Sequence, residues 1–165
     1  MSDHAEPRTE RPYNKRELRS VARGWPTAVV QFIKSGNWHT GEEKISRQIG
    51  VDWFSAGDGF SWESSDLDES QAKAVAAWAF AKDLINRGEH RMILLDEVSY
   101  PMNWGWIDAD DIAATLRDRP EDTSVFLTGR EMPQPVIDVA DTVTEMVKVK
   151  HAFEQGIRAR KGIDY

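Results

Sequence analysis

Ile93-Leu94-Leu95-Asp96-Glu97 is the stretch on which the fold turns. An apolar run that ends in two carboxylates reads as a buried strand delivering acid groups to its carboxyl end. That is the form of a Walker B element, in which the acids hold a Mg²⁺ that bridges nucleotide phosphates. Its usual companion, the phosphate loop G-x-x-x-x-G-K-[ST], occurs nowhere in the 165 residues. Working outward, Met92 extends the same strand, and Ser124-Val125-Phe126-Leu127 reads as another. Thr27-Ala28-Val29-Val30-Gln31-Phe32-Ile33 is β-branched and nearly continuous, as a parallel strand covered on both faces should be. Val51-Asp52-Trp53-Phe54 is a weaker candidate, and the alternation from Thr142 to Val149 suggests a final strand.

Amphipathic segments separate these runs, which is the pattern of a βαβ protein. Asp66 and Glu69 form a capping box that opens a helix to about Arg87, with Ala77, Phe80, Ala81 and Leu84 on one face and Gly88 closing it. Asp108 and Asp111 cap a second helix, with Ile107 and Ile112 spaced as a hydrophobic staple and Pro120 beyond its end. Leu18 to Arg23 reads as the tail of a helix that stops at Gly24. In an open parallel sheet every strand ends at the same edge, where such folds bind ligands. The endings are Lys34, the Gly57-Asp58-Gly59-Phe60-Ser61-Trp62 loop, Asp96-Glu97 and Thr128-Gly129-Arg130. Any buried strand must end in polar residues, but four chemically distinct endings on one edge favour a site.

Composition narrows the classes. Lys and Arg number 21 and Asp and Glu 28, for a net charge of −7, which argues against nonspecific nucleic-acid binding. There is no cysteine, so disulfides and thiolate zinc sites are excluded, and four scattered histidines do not make an imidazole metal centre. Ser61 and Ser99 lack a nucleophile-elbow context. No apolar run reaches the roughly 20 residues of a membrane span, and residues 1–17 are a polar arm without a signal-peptide core. A cytoplasmic location is the expectation. Seven tryptophans are more than one small core buries fully, so some are expected to line a site for a large flat ligand. Lys148, Lys150, Arg158, Arg160 and Lys161 suit phosphate or simply water.

Taken in order, Val30-Gln31-Phe32-Ile33-Lys34, Gly59-Phe60-Ser61-Trp62, Leu94-Leu95-Asp96-Glu97-Val98-Ser99-Tyr100, Thr128-Gly129-Arg130, Ala140-Asp141-Thr142-Val143-Thr144-Glu145-Met146 and Val149-Lys150-His151-Ala152-Phe153 form a series. With the terminal Lys161-Gly162-Ile163-Asp164-Tyr165, that series resembles the ATP:cob(I)alamin (corrinoid) adenosyltransferases of the BtuR/CobO/CobP type. The resemblance runs from about Leu18 to Tyr165. It implies an α/β fold with a P-loop NTPase-like, mostly parallel sheet flanked by helices, here with the first strand and Walker A loop missing. Residues 1–17 are then an arm and residues 18–165 the domain. The implied reaction moves the 5′-deoxyadenosyl group of ATP to the cobalt of a reduced corrinoid and releases triphosphate. Glu97, with Asp96 beside it, is implied to bind Mg²⁺. Phe60 and Trp62 are implied to cover the corrin face and displace its lower axial ligand, and Arg130 to lie near the nucleotide. Lys34, Arg130 and Lys150 remain as cations for phosphate. Partners implied are ATP, the corrinoid, a flavin-type reductant and a second copy in a homodimer, with no nucleic acid and no membrane. A noncatalytic corrinoid-binding or dimer-partner relative is the alternative.

Where that family carries its first strand and phosphate loop, this chain has Glu10-Arg11-Pro12-Tyr13-Asn14-Lys15-Arg16-Glu17. Such a strand is interior in P-loop sheets, so its loss should leave Thr27–Ile33 poorly supported on one side. The sheet would otherwise close by pairing between chains.

Overall fold

The computed structural model describes residues 14–33, 41–55 and 67–160. Four strands form one all-parallel sheet: β1 (Thr27–Gln31), β2 (Asp52–Ser55), β3 (Met92–Asp96) and β4 (Ser124–Leu127), in the order β2-β1-β3-β4. Six helices accompany them: α1 (Asn14–Ala22), α2 (Gly41–Gln48), α3 (Leu67–Arg87), α4 (Ser99–Asn103), α5 (Ala109–Arg117) and α6 (Gln134–Val139). A 3₁₀ turn covers Ala152–Gln155.

Strand alternation divides the core into two layers. Ala28, Val30, Ile93 and Leu95 face one way, onto Ala77, Ala81, Leu84 and Ile85 of α3 and onto Ile112 and Leu116 of α5. Val29, Trp53 and Leu94 face the other way, with Val21, Ile49 and Phe126 against them. Every residue of β1 and β3 is buried, as the sequence of each predicts for a strand covered on both faces. The staple is present: Ile107 and Ile112 both enter the first layer, and Asp108 accepts the N–H of Asp110 at 2.9 Å. Asp111 does not cap the helix; it accepts from Trp78 Nε1 (2.8 Å) and Lys82, tying α3 to α5. Trp53 and Trp78 are core residues, whereas Trp25 and Trp104 are exposed. Asp66, the expected cap of α3, lies outside the described residues.

Two expectations are corrected. β1 is not left unsupported: it pairs with β2 through Ala28↔Asp52 to Gln31↔Ser55 and with β3 through Thr27↔Met92 to Gln31↔Asp96. β3, not a lost strand, is the second neighbour of β1, and among the described residues β2 and β4 are the edge strands. Nor is 142–149 a strand. Its residues are exposed and make no backbone ladder, since alternation alone gives no stability to a strand without a neighbour.

Candidate active site at the carboxyl edge of the sheet

Parallel pairing brings all four strand ends to one edge, and a chain of hydrogen bonds runs across them. Trp53 Nε1 donates to Ser55 Oγ at 3.3 Å, and Ser55 Oγ to Gln31 Oε1 at 3.4 Å. Gln31 Nε2 donates to Asp96 Oδ2 at 3.5 Å, a long bond, and Thr128 Oγ1 to Asp96 Oδ1 at 2.8 Å. Thr128 Oγ1 also accepts the backbone N–H of Glu97 at 3.0 Å. Asp96, 1% exposed, is thus held by side chains from both adjacent strand ends. Glu97 stands half-buried beyond it with φ of 61°, a left-handed conformation that glutamate rarely adopts. Non-glycine residues kept there cluster at functional sites, because the surroundings must hold the strain.

The loop after β4 is fixed to the same edge. Gly129 has φ of 148°, and a Cβ built on it would overlap Oγ and Cβ of Ser99 at the start of α4. Ser99 Oγ is buried without a hydrogen-bond partner. Asn103 Nδ2 donates to the carbonyls of Arg130 (3.2 Å) and Glu131 (3.1 Å), which pins the loop's far side. Arg130 itself is exposed at the rim.

α1 runs antiparallel to β1, so its first turn lies at this edge too. Glu17, in that turn, is 5% exposed and its Oε1 has no partner. Burial first, then the negative charges of Asp96 and Glu42, push its carboxyl up from 4.5 to about 7. The edge is therefore rich in carboxylate and has a buried acid poised to titrate near neutrality.

Beside Ser55 the edge opens into a cleft of about 380 Å³, lined by Val30, Phe54, Ser55, Lys73, Ala76, Ala77 and Phe80. The Phe54 and Phe80 rings meet there, 4.6 Å between centroids. Ser55, the last residue of β2, lines this cleft, and Phe60 and Trp62 follow it in the sequence.

Of the residues expected from sequence, Asp96, Glu97 and Arg130 come together at one edge. Lys34, Phe60 and Trp62 lie outside the described residues. Lys150 is exposed in the segment after α6. Gln31, Thr128 and Glu17 were not singled out from sequence. A polar residue closing an apolar strand run is the available signal for Gln31, and Thr128, part of the Thr128-Gly129-Arg130 ending, carries no local sign that it bonds Asp96. Hard oxygen donors suit Mg²⁺, which keeps several waters and needs only one or two carboxylates besides phosphate oxygens. Among the described residues no cluster of three or more His, Asp or Glu could hold a metal by itself. The donor set fits a Mg²⁺ delivered on a nucleotide better than a resident metal cage.

A family model described as ATP:corrinoid adenosyltransferase BtuR/CobO/CobP matches residues 16–165. A corrinoid adenosyltransferase of Sinorhizobium sp. is 41% identical over 152 residues, covering 90% of this chain and 71% of the relative. That of Pseudomonas aeruginosa is 40% identical over 149 residues, 89% and 73% of the two chains. That of Escherichia coli is 35% identical over 147 residues, 89% and 74%.

Proposed function

Because the chain belongs to the BtuR/CobO/CobP family of ATP:corrinoid adenosyltransferases, we propose that its sheet edge brings MgATP and a reduced corrinoid together for adenosyl transfer. The observation that carries this reading is the family match over residues 16–165, nearly the whole chain. The cobalt of the substrate supplies the nucleophile. Its electron pair forms the bond to C5′ of the ribose, the C5′–O bond breaks, and triphosphate leaves with that bond's electrons. Cob(I)alamin needs no general base, so the protein's work is alignment and stabilisation of the departing charge.

Asp96 and Glu97 would hold Mg²⁺, with Asp96 oriented by Thr128 and Gln31. When bound, the ion offsets the negative charge that builds on the triphosphate. Arg130 and Lys34 supply positive charge from the chain itself. The start of α1 offers backbone N–H groups at the same edge, but Glu17 there opposes an anion whenever it is ionised. Phe54 and Phe80, packed together in the cleft, offer an apolar wall suited to a flat macrocycle. Phe60 and Trp62, which follow β2 in the sequence, cover the corrin's lower face. Excluding the lower axial ligand makes Co(II) easier to reduce, and a flavin-type reductant supplies the electron. The working unit is a homodimer in the cytoplasm. No described helix is long and apolar enough to cross a membrane.

Electron paramagnetic resonance of cob(II)alamin with the protein and MgATP tests the corrin half of this reading. A four-coordinate signal is expected, and the Phe60→Ala, Trp62→Ala double variant should lose it. An unchanged signal in the variant removes both residues from the site. A parent chain that binds MgATP and cob(II)alamin yet leaves it five-coordinate contradicts the reading of the cleft as a corrin wall.

A further inference from the structure

The row of side chains across the carboxyl edge has its direction fixed from both ends. Trp53 Nε1–H can only donate, and the Asp96 carboxylate only accepts. Between them Ser55 Oγ accepts from Trp53 (3.3 Å) and donates to Gln31 Oε1 (3.4 Å), and Gln31 Nε2 donates to Asp96 Oδ2 (3.5 Å). Turning the Gln31 amide over would set its carbonyl against the Asp96 carboxylate. These bonds are long, so what the row supplies is polarity rather than strength. Trp53, Gln31 and Asp96 are all buried, which keeps water from reversing the order.

Ser55 is the member of the row that reaches the cleft, where it stands with Phe54 and Phe80. A serine hydroxyl has one proton and two lone pairs. Its proton goes to Gln31 and one lone pair to Trp53. A ligand in the cleft therefore meets the second lone pair, not the proton. Lys73 also lines the cleft, and Glu69 pairs with it at 2.6 Å, so its charge is met within the chain. Apolar surface with a few polar groups of fixed sense is what gives a pocket its selectivity.

The rim of a corrin ring carries short side chains that end in carboxylates or in the corresponding amides. We propose that Ser55 selects corrinoids by this chemistry, favouring a carboxamide over a carboxylate or an ester on the side chain that meets it. The proposal rests on the reading of the cleft as a corrin wall and names which corrinoids that wall takes. An amide N–H donates to the Ser55 lone pair. A carboxylate or ester only accepts, and with the Ser55 proton committed to Gln31 two acceptors face each other unsatisfied. Gln31 is then a positioning residue for selectivity. It is not among the residues lining the cleft, and acts by fixing where the Ser55 proton points.

The test is equilibrium binding, with the full chain and MgATP, of two cob(II) corrinoids: cobyrinic acid heptaamide and cobyrinic acid heptamethyl ester. They share ring and charge and differ in whether the rim bears N–H donors. The heptaamide should bind roughly tenfold or more tightly. Ser55→Ala should narrow that ratio. So should Gln31→Leu, which leaves the lining of the cleft as it is and frees the Ser55 proton to meet an ester carbonyl. A ratio near one in the parent chain, or one that survives either substitution in folded protein, overturns the selection by Ser55 and leaves the cleft standing as a corrin wall. A chain that binds neither corrinoid overturns both.

Discussion

Glu17 carries the most consequential single proton in the site. Its folded pKa, about 7, lies above the ordinary 4.5, so the folded state binds that proton more tightly than the unfolded chain does. The stabilisation is complete below pH 4.5 and is lost as pH rises through about 7. Without divalent cation, urea unfolding should therefore show stability falling between pH 5 and pH 8, by at most on the order of 3 kcal/mol. Glu17→Gln should flatten that slope and leave the protein more stable at pH 8. A slope that persists in the variant assigns it to other groups. Gly129 supports the same edge by its lack of a side chain. Gly129→Ala meets both a positive φ and the Ser99 hydroxymethyl group, so it should cost about 2 kcal/mol or more in thermal or urea unfolding. Thr128→Val removes the donor to Asp96 Oδ1 and the acceptor for Glu97 N–H together. A loss of about 1–3 kcal/mol is expected, with adenosyl transfer falling more steeply than stability alone explains. A variant with transfer intact places Asp96 outside the catalytic edge.

Among the elements, the strands were legible where local composition decides the outcome. β1 and β3 are apolar throughout because both faces are covered, and α3 shows its buried stripe at helical spacing. Other elements depend on facts that no local pattern contains. α2 is short and charged, and its buried Glu43 is paired with Arg47, which bridges it to the carbonyl of Trp53. Residues 142–149 alternate like a strand, yet strand formation depends on a neighbour, and among the described residues they pair with none. Neighbour relations also explain the misplaced gap: β1 lies between β2 and β3, so it is supported on both sides. Hydrogen exchange checks this directly. The amides of β1 should be as protected as those of β3, and faster exchange in β1 would return the defect to its side.

For the molecule as a whole, the acids and the loop arginine of the site were readable as strand endings. The groups that orient them, Gln31 and Thr128, were not, because register pairing decides which polar ends touch. The 165 residues contain no G-x-x-x-x-G-K-[ST] loop, so in the proposed reaction the cations and amides of this edge hold the phosphates. MgATP is accordingly expected to bind weakly by isothermal titration, and a low-micromolar dissociation constant would reveal a phosphate cradle of another kind. The central claim is adenosyl transfer itself. It is tested most directly by incubating the chain anaerobically with chemically reduced cobalamin and saturating MgATP, and quantifying adenosylcobalamin and triphosphate. Both products are expected in equal amounts, with Asp96→Asn reducing them at least tenfold at unchanged protein concentration. Bound cobalamin without adenosylcobalamin or triphosphate, from protein that is folded and saturated with MgATP, would contradict it and identify a corrinoid-binding relative that does not catalyse the transfer.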